Sequence, residues 1–225
     1  MDKGLFNILQ RYMIECMTDS AHDREHVYRV LYLALDIARH EENADRDIVI
    51  AACLLHDIGR EAQYKNPQVC HAMAGAEMAY TFCGEQGFSD AAARHIKDCV
   101  ATHRFRGDNP PESIEARILF DADKLDVTGT LGIARTLFYK GHVKQPLYNT
   151  DAQGGVLDGA NDPLPSFLQE YHFKLKDIYD KFYTGRAREI AEKRRQAAVA
   201  FYESMMGELE DTYRMGRECL NEVLK

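Results

Sequence analysis

Three short stretches of the chain place metal-ligand side chains on otherwise apolar backgrounds. They are His26 within His22-Asp23-Arg24-Glu25-His26, the doublet His56-Asp57, and the string Asp121-Ala122-Asp123-Lys124-Leu125-Asp126. A His-Asp doublet at a helix end can aim both side chains at one ion, and His26 and an aspartate from other helices can complete the sphere. Mixed imidazole and carboxylate donors suit Mn, Fe, Co, Ni or Zn better than Ca, and they leave positions open for water and phosphate oxygens. Any one of these residues alone reads as a satisfied core histidine or a capping aspartate. Their ordered combination points to a metal centre.

Helices must position them, because apolar residues recur at helical spacing along most of the chain. Leu5, Ile8, Leu9, Tyr12, Met13, Cys16 and Met17 mark a first helix. Ser20 and Asp23 suit the start of a second, carrying His26, Val27, Val30, Leu31, Ala34, Ile37 and Ala38 and ending near His40. Asp45 can cap a third with Ile48, Ala51, Ala52, Leu55 and Ile58 on its core face, and Gly59 as a stop or irregularity. The small residues Ala72, Ala74, Gly75, Ala76 and Ala79 predict a closely packed helix ending near Gly84. Further helices are expected from Ser89 to His103, Ser113 to Lys124 and Asp126 to Phe138, with a turn over Gly107–Pro111. Residues 139–166 lack a period and read as a long loop, a length that suits a functional lid. Phe167, Tyr171, Leu175, Ile178 and Phe182 predict one more helix. Thr184 starts a long one through Phe201, Met205 and Leu209, interrupted at Gly207 or Gly216 and able to pack internally or form a homodimer. The expectation is an all-α fold in one domain, 1–225.

Composition narrows the function classes. The 225 residues are 45% hydrophobic and 28% charged, which excludes disordered and fibrous chains. Asp and Glu outnumber Lys and Arg by 36 to 28, and a net charge of −8 argues against nucleic-acid binding through a basic footprint. No run approaches the roughly 20 apolar residues of a membrane span, and the N-terminus lacks a signal-peptide pattern, so a cytoplasmic protein is expected. Cys16, Cys53, Cys70, Cys83, Cys99 and Cys219 form no CxxC pair and read as reduced core thiols.

At the three stretches the sequence resembles the HD-domain metal-dependent phosphohydrolases, whose pattern is His, then His-Asp, then a distant Asp. The likeness covers residues 20–135 as the motif-bearing core, with 167–225 as a helical extension. It implies an HD-type helical bundle with His26, His56, Asp57 and Asp123 as ligands, since the last aspartate of the family commonly stands in an Ala-Asp-Arg/Lys-Leu context, here Ala122-Asp123-Lys124-Leu125. Asp121 then supports the site rather than binding the ion. The fuller strings from Asp121 to Arg135 and from Thr184 to Arg194 look like a subgroup of small stand-alone bacterial HD proteins, some of which are nucleotide pyrophosphohydrolases.

The resemblance implies one divalent ion (Mn, Mg, Co, Ni, Fe or Zn) that activates water against a phosphate substrate, a nucleotide by the subgroup. Some HD enzymes hold a second ion with two added histidines. His71 and His103 stand where those would be, but the reading taken for them is contact with substrate phosphate or water, with a second ion as the alternative. Glu61 shares a helical face with Asp57, as a general base would, if the helix persists past Gly59; if it breaks there, Glu61 is a surface acid. Lys124 leads the cations that could offset phosphoryl charge, followed by Arg24, Arg60, Arg104, Arg106 and Arg135, with Lys140 to Lys144 from the loop. Tyr28, Tyr32, Tyr64, Tyr139 and Tyr148 offer surfaces for a base. The competing functions are a nucleoside-monophosphate phosphatase, a cyclic-nucleotide phosphodiesterase, a non-catalytic nucleotide-binding module and a di-iron oxygenase.

Overall fold

Short polar side chains that accept the first unpaired amides open α-helices at Asp2, Asp45, Ser89, Ser113 and Ser166. The computed structural model describes residues 1–17, 24–104 and 109–224. Asp2 accepts from Leu5 N to open α1 (Lys3–Cys16), and Asp45 accepts from Asp47 N and Ile48 N to open α3 (Arg46–Leu55). Ser89 and Ser113 do the same for α6 (Asp90–Thr102) and α7 (Ile114–Leu125). Helix α2 (Arg24–Ala38) buries the expected face, from His26 to Ala38. Ser20, His22 and Asp23, along with Arg106 and Gly107, lie outside the described residues.

The described residues divide into two compact units, Met1–Asp126 with Phe182–Ala187, and Val127–Lys181 with Arg188–Lys225. In the first unit α3 is central. Its Ile48, Val49 and Ala51 through Leu55 are all buried, as expected of a helix apolar on every side, and it packs on α1, α2, α6 and α7. Burying each of its Leu or Ile side chains contributes roughly 1.5–3 kcal/mol.

The helix stops after Leu55. His56, Asp57, Ile58 and Gly59 form a buried turn, and a separate short α4 (Arg60–Lys65) follows. A Cβ at Gly59 would overlap the His71 carbonyl oxygen and lie 2.5 Å from Gly75 N, so only glycine permits this approach to α5 (His71–Glu85). The small face of α5 predicted from Ala72, Gly75, Ala76 and Ala79 is buried, and α5 packs chiefly on α6.

In the second unit α8 (Gly129–His142) runs four residues into the stretch expected to be loop. Gly129 has φ +65° and its N–H donates to the Tyr179 hydroxyl at 3.0 Å. The remaining coil is pinned from within by Asp162, which accepts from Asn149 Nδ2, Gly159 N and Ser166 Oγ. Lys140 is buried and bonded to Gln145 and Glu170, so it belongs to this packing and is no loop cation.

The single helix expected over 167–182 is instead three pieces: α9 (Phe167–Glu170), a π segment (Tyr171–Leu175) and a 3₁₀ turn (Ile178–Asp180). Phe167, Tyr171 and Leu175 recur every four residues, longer than the 3.6 of an α-helix, and the wider π turn keeps all three buried on one side. Helix α10 (Gly185–Val223) runs 39 residues without a break at Gly207 or Gly216, which lie in open space. The all-α expectation holds: among the described residues β-pairing is limited to an isolated Thr150–Val156 bridge, and no helix is long and apolar enough to cross a membrane. Among the cysteines, Cys53, Cys83 and Cys99 are buried, whereas Cys70 and Cys219 are exposed and are not core thiols.

Candidate metal centre

Two histidines of the first unit stand just past helix ends. His56 follows α3 and His103 follows α6. Each turns Nδ1 onto a carbonyl three residues back that the ended helix leaves free, Cys53 O at 2.7 Å and Val100 O at 2.6 Å. His26, in the first turn of α2, sets Nδ1 2.7 Å from Asp126 Oδ2. His71, the first residue of α5, sets Nδ1 2.5 Å from Gln63 Oε1 and 3.1 Å from Arg104 Nη1. An oxygen that can only accept fixes the neutral tautomer with the proton on Nδ1. For His71 the shorter contact, to the amide oxygen, decides the same way. All four rings therefore turn Nε2 toward one region; His56, His71 and His103 present its lone pair, the form in which histidine binds metals, and His26 does so once its Nε2 proton is lost.

These lone pairs converge on two carboxylates. His26 Nε2 lies 3.3 Å from His56 Nε2 and 3.2 Å from Asp123 Oδ1, and Asp57 Oδ2 is 3.7 and 3.6 Å from the two rings. The other oxygen of Asp57, Oδ1, faces His71 Nε2 at 3.3 Å and His103 Nε2 at 3.6 Å. His26, His56 and Asp123 form one group able to hold an ion, and Asp57, His71 and His103 form another. Both oxygens of Asp57 and Nε2 of His71 and His103 are buried with no hydrogen-bond partner. Buried polar atoms are normally paired, because leaving one unpaired costs about 1–3 kcal/mol. Three of these orphaned atoms, Asp57 Oδ1 and the two Nε2, face one another beside Arg60 Nε, and with Asp57 Oδ2 they form a set of electron-pair donors that fits a divalent cation.

Burial alone would raise the Asp57 pKa, but His56, His103, His71 and Arg60 around it hold the carboxyl well below the usual range. Asp123 is likewise depressed against burial, chiefly by His26. Burial would lower His26, yet Asp123 and Asp126 push it up to about 9. Burial brings His56 and His71 down to about 4. The centre thus carries ionised carboxylates and neutral rings at His56 and His71.

Asp126 was legible only as part of the acidic string. It is fully buried and takes the Arg29 guanidinium on both oxygens, Nε at 2.7 Å and Nη2 at 3.2 Å, while it orients His26. It is the support that the sequence reading gave to Asp121. Asp121 instead accepts from Tyr183 N, Thr184 N and Thr184 Oγ1, at 2.7–3.1 Å, and so fastens the start of α10. Gln63, which fixes His71, had no signal in the sequence because its role comes from the short α4.

The remaining expected residues fall as follows. Glu61 is on α4 beyond the break, half exposed and paired with Lys65 at 2.6 Å, so it is the surface acid of the two readings. Lys124 holds Nζ 4.4 Å from the centre of the Phe120 ring. Arg104 touches His71, Arg60 Nε is 2.9 Å from Asp57 Oδ1, Arg24 is exposed at the start of α2, and Arg135 lies on α8 in the second unit. Among the tyrosines, Tyr32, Tyr64 and Tyr139 are exposed, Tyr28 stacks on Tyr32, and Tyr148 bonds to Tyr213.

Comparison with known proteins agrees with this geometry. A family model for the HD domain matches residues 24–128. The uncharacterised protein YpgQ of Bacillus subtilis strain 168 is 30% identical over 198 residues, 86% of this chain and 88% of the relative. A predicted HD superfamily hydrolase from an uncultured Thermotogales bacterium is similar in structure, with TM-score 0.63, 28% identity, and coverage of 90% and 91% of the two chains. The structure of Bacillus subtilis YpgQ in complex with ADP is similar at TM-score 0.68 and 26% identity, covering 89% and 97%.

Proposed function

The chain belongs to the HD domain family, whose general class is metal-dependent phosphohydrolase, and from that premise we propose that it is a nucleotide pyrophosphohydrolase. The observation that carries this reading is the convergence of imidazole Nε2 lone pairs on Asp57, whose oxygens are buried without hydrogen bonds. His26, His56, Asp57 Oδ2 and Asp123 would hold the ion. A bound divalent cation supplies a charge that polarises phosphoryl oxygen and acidifies water. Asp126 and the Cys53 carbonyl keep His26 and His56 in the ligating tautomer. Arg104 and Arg60 bring positive charge to the His71 side, where a substrate phosphate needs it. Lys124 and Arg24 are assigned to the remaining phosphate charge on the sequence pattern. The ADP complex of YpgQ supports a nucleotide as the substrate class.

The test is turnover of metal-stripped protein reloaded with Mn, Mg, Co or Ni on nucleoside mono-, di- and triphosphates and cyclic dinucleotides, with orthophosphate and pyrophosphate measured separately. Pyrophosphate from triphosphates is expected. Orthophosphate alone, or no release with any metal, would overturn the assignment.

A second reading, hydrolysis of a monoester or cyclic diester with two ions, is favoured by His71 and His103, whose lone pairs meet at Asp57 Oδ1. Two bound ions with cleavage of cyclic dinucleotides would select it.

A further inference from the structure

We infer that Arg60 sets the number of cations Asp57 can serve: its guanidinium takes the place of a second ion on the Oδ1 side. The inference rests on the first group being the resident metal centre.

Asp57 has two faces, each with a pair of histidines, and Arg60 stands on one of them. Its Nε lies 2.9 Å from Oδ1, whereas Oδ2 faces His26 Nε2 at 3.7 Å and His56 Nε2 at 3.6 Å. Arg60 Nε is buried and lacks the angle of a hydrogen bond, so charge and not a directional bond relates it to the carboxylate. The backbone leaves little choice of position. Arg60 N donates to Asp57 O at 3.1 Å, and Gly59 before it is pressed against the first turns of α5. Arginine cannot vacate the charge by losing a proton, as a buried lysine can. A dication bounded by Oδ1, His71 Nε2 and His103 Nε2 would share its carboxylate with a fixed positive charge, and like charges at this range repel strongly in a buried setting. One tight ion and a poor second place follow.

Titrating the metal-stripped full chain with Mn²⁺ by calorimetry, with electron paramagnetic resonance to report coupled ions, tests this directly. Wild type should bind one tight ion. Arg60→Gln should bind a second at least about tenfold tighter than wild type does, with spin coupling between the two. Arg60→Lys, which keeps a positive charge, should stay at one, and circular dichroism should show the same helix content in all three. Two tight, coupled ions in wild type would overturn the inference and leave the metal centre standing, as would a single tight ion in both wild type and Arg60→Gln. No binding to wild type would overturn the metal centre and this inference with it.

Discussion

The two oxygens of Asp57 look into surroundings built from the same residue types and tuned to different ends. On the Oδ2 side, His26 is backed by a buried carboxylate, Asp126, which a guanidinium holds from behind, and Asp123 adds another carboxylate beside its Nε2. On the Oδ1 side, His71 is backed by a neutral amide and its flanking charges are Arg60 and Arg104. Negative charge behind a ligand raises its basicity and its pull on a cation, and positive charge does the reverse. On the inference above, the difference teaches that histidine count alone does not set metal count; the charges around the rings and beside the shared carboxylate do.

The largest expected effect comes from removing the shared carboxylate. Asp57→Ala should abolish both turnover and Mn²⁺ binding, a loss of at least about 10³-fold in rate, while circular dichroism shows helix content near that of wild type. Retained turnover would take Asp57 out of the centre.

Next in size is the support behind His26. Asp126→Asn keeps an oxygen to accept from Nδ1 but removes the charge, and should weaken metal binding by roughly 10–100-fold. Calorimetry would check this. Unchanged affinity would make Asp126 a packing residue only.

The two sides should also separate by pH. His26, raised to about 9, must lose its proton before Nε2 can bind a cation, so affinity on the Oδ2 side should climb with pH toward 9, by up to about tenfold per unit. In the metal-free protein the sign is opposite. Charged His26 contributes stability that is full below about 6.5 and is lost as pH rises through about 9. His71, at about 4, is already neutral across that window, so the second ion of Arg60→Gln should bind with little pH dependence from this group. Metal titrations and thermal melts at several pH values would show both trends. The smallest effect is expected from Glu61→Gln, which should leave the rate within about twofold because the side chain faces solvent with Lys65.

The proposed ligands were legible because each lies on or beside a helix whose apolar period is strong. His26 sits among Val27, Val30 and Leu31, and His56-Asp57 follows the apolar run from Ile48 to Leu55 of α3. The caps at Asp45, Ser89 and Ser113 could likewise be read from the sequence, since a short polar side chain before an apolar period has one local use. What was not legible depends on residues far apart in the chain. Asp126 reaches His26 across 100 positions and Arg29 across 97, and the sequence pattern pointed to Asp121 for that support instead. The break at Gly59 is decided by the carbonyl of His71, which sequence spacing does not reveal. The π segment escaped because a four-residue recurrence satisfies an α-helical pattern about as well as a wider turn.

The hold of Asp121 on Tyr183 and Thr184 bears on how such a protein can change over time. The chain leaves the first unit after Asp126 and re-enters it at Phe182, and the re-entry is fastened to the same helix that carries Asp123. Between these points the chain behaves as an insertion with one clamped end. Closing a flexible loop costs only about 0.6 kcal/mol more for each doubling of its length, so changes of length confined to the exposed coil of 127–181 should cost the first unit little, whereas its buried residues pack within the second unit. Asp121, by fastening the re-entry, would let that coil vary without moving the helix that carries Asp123.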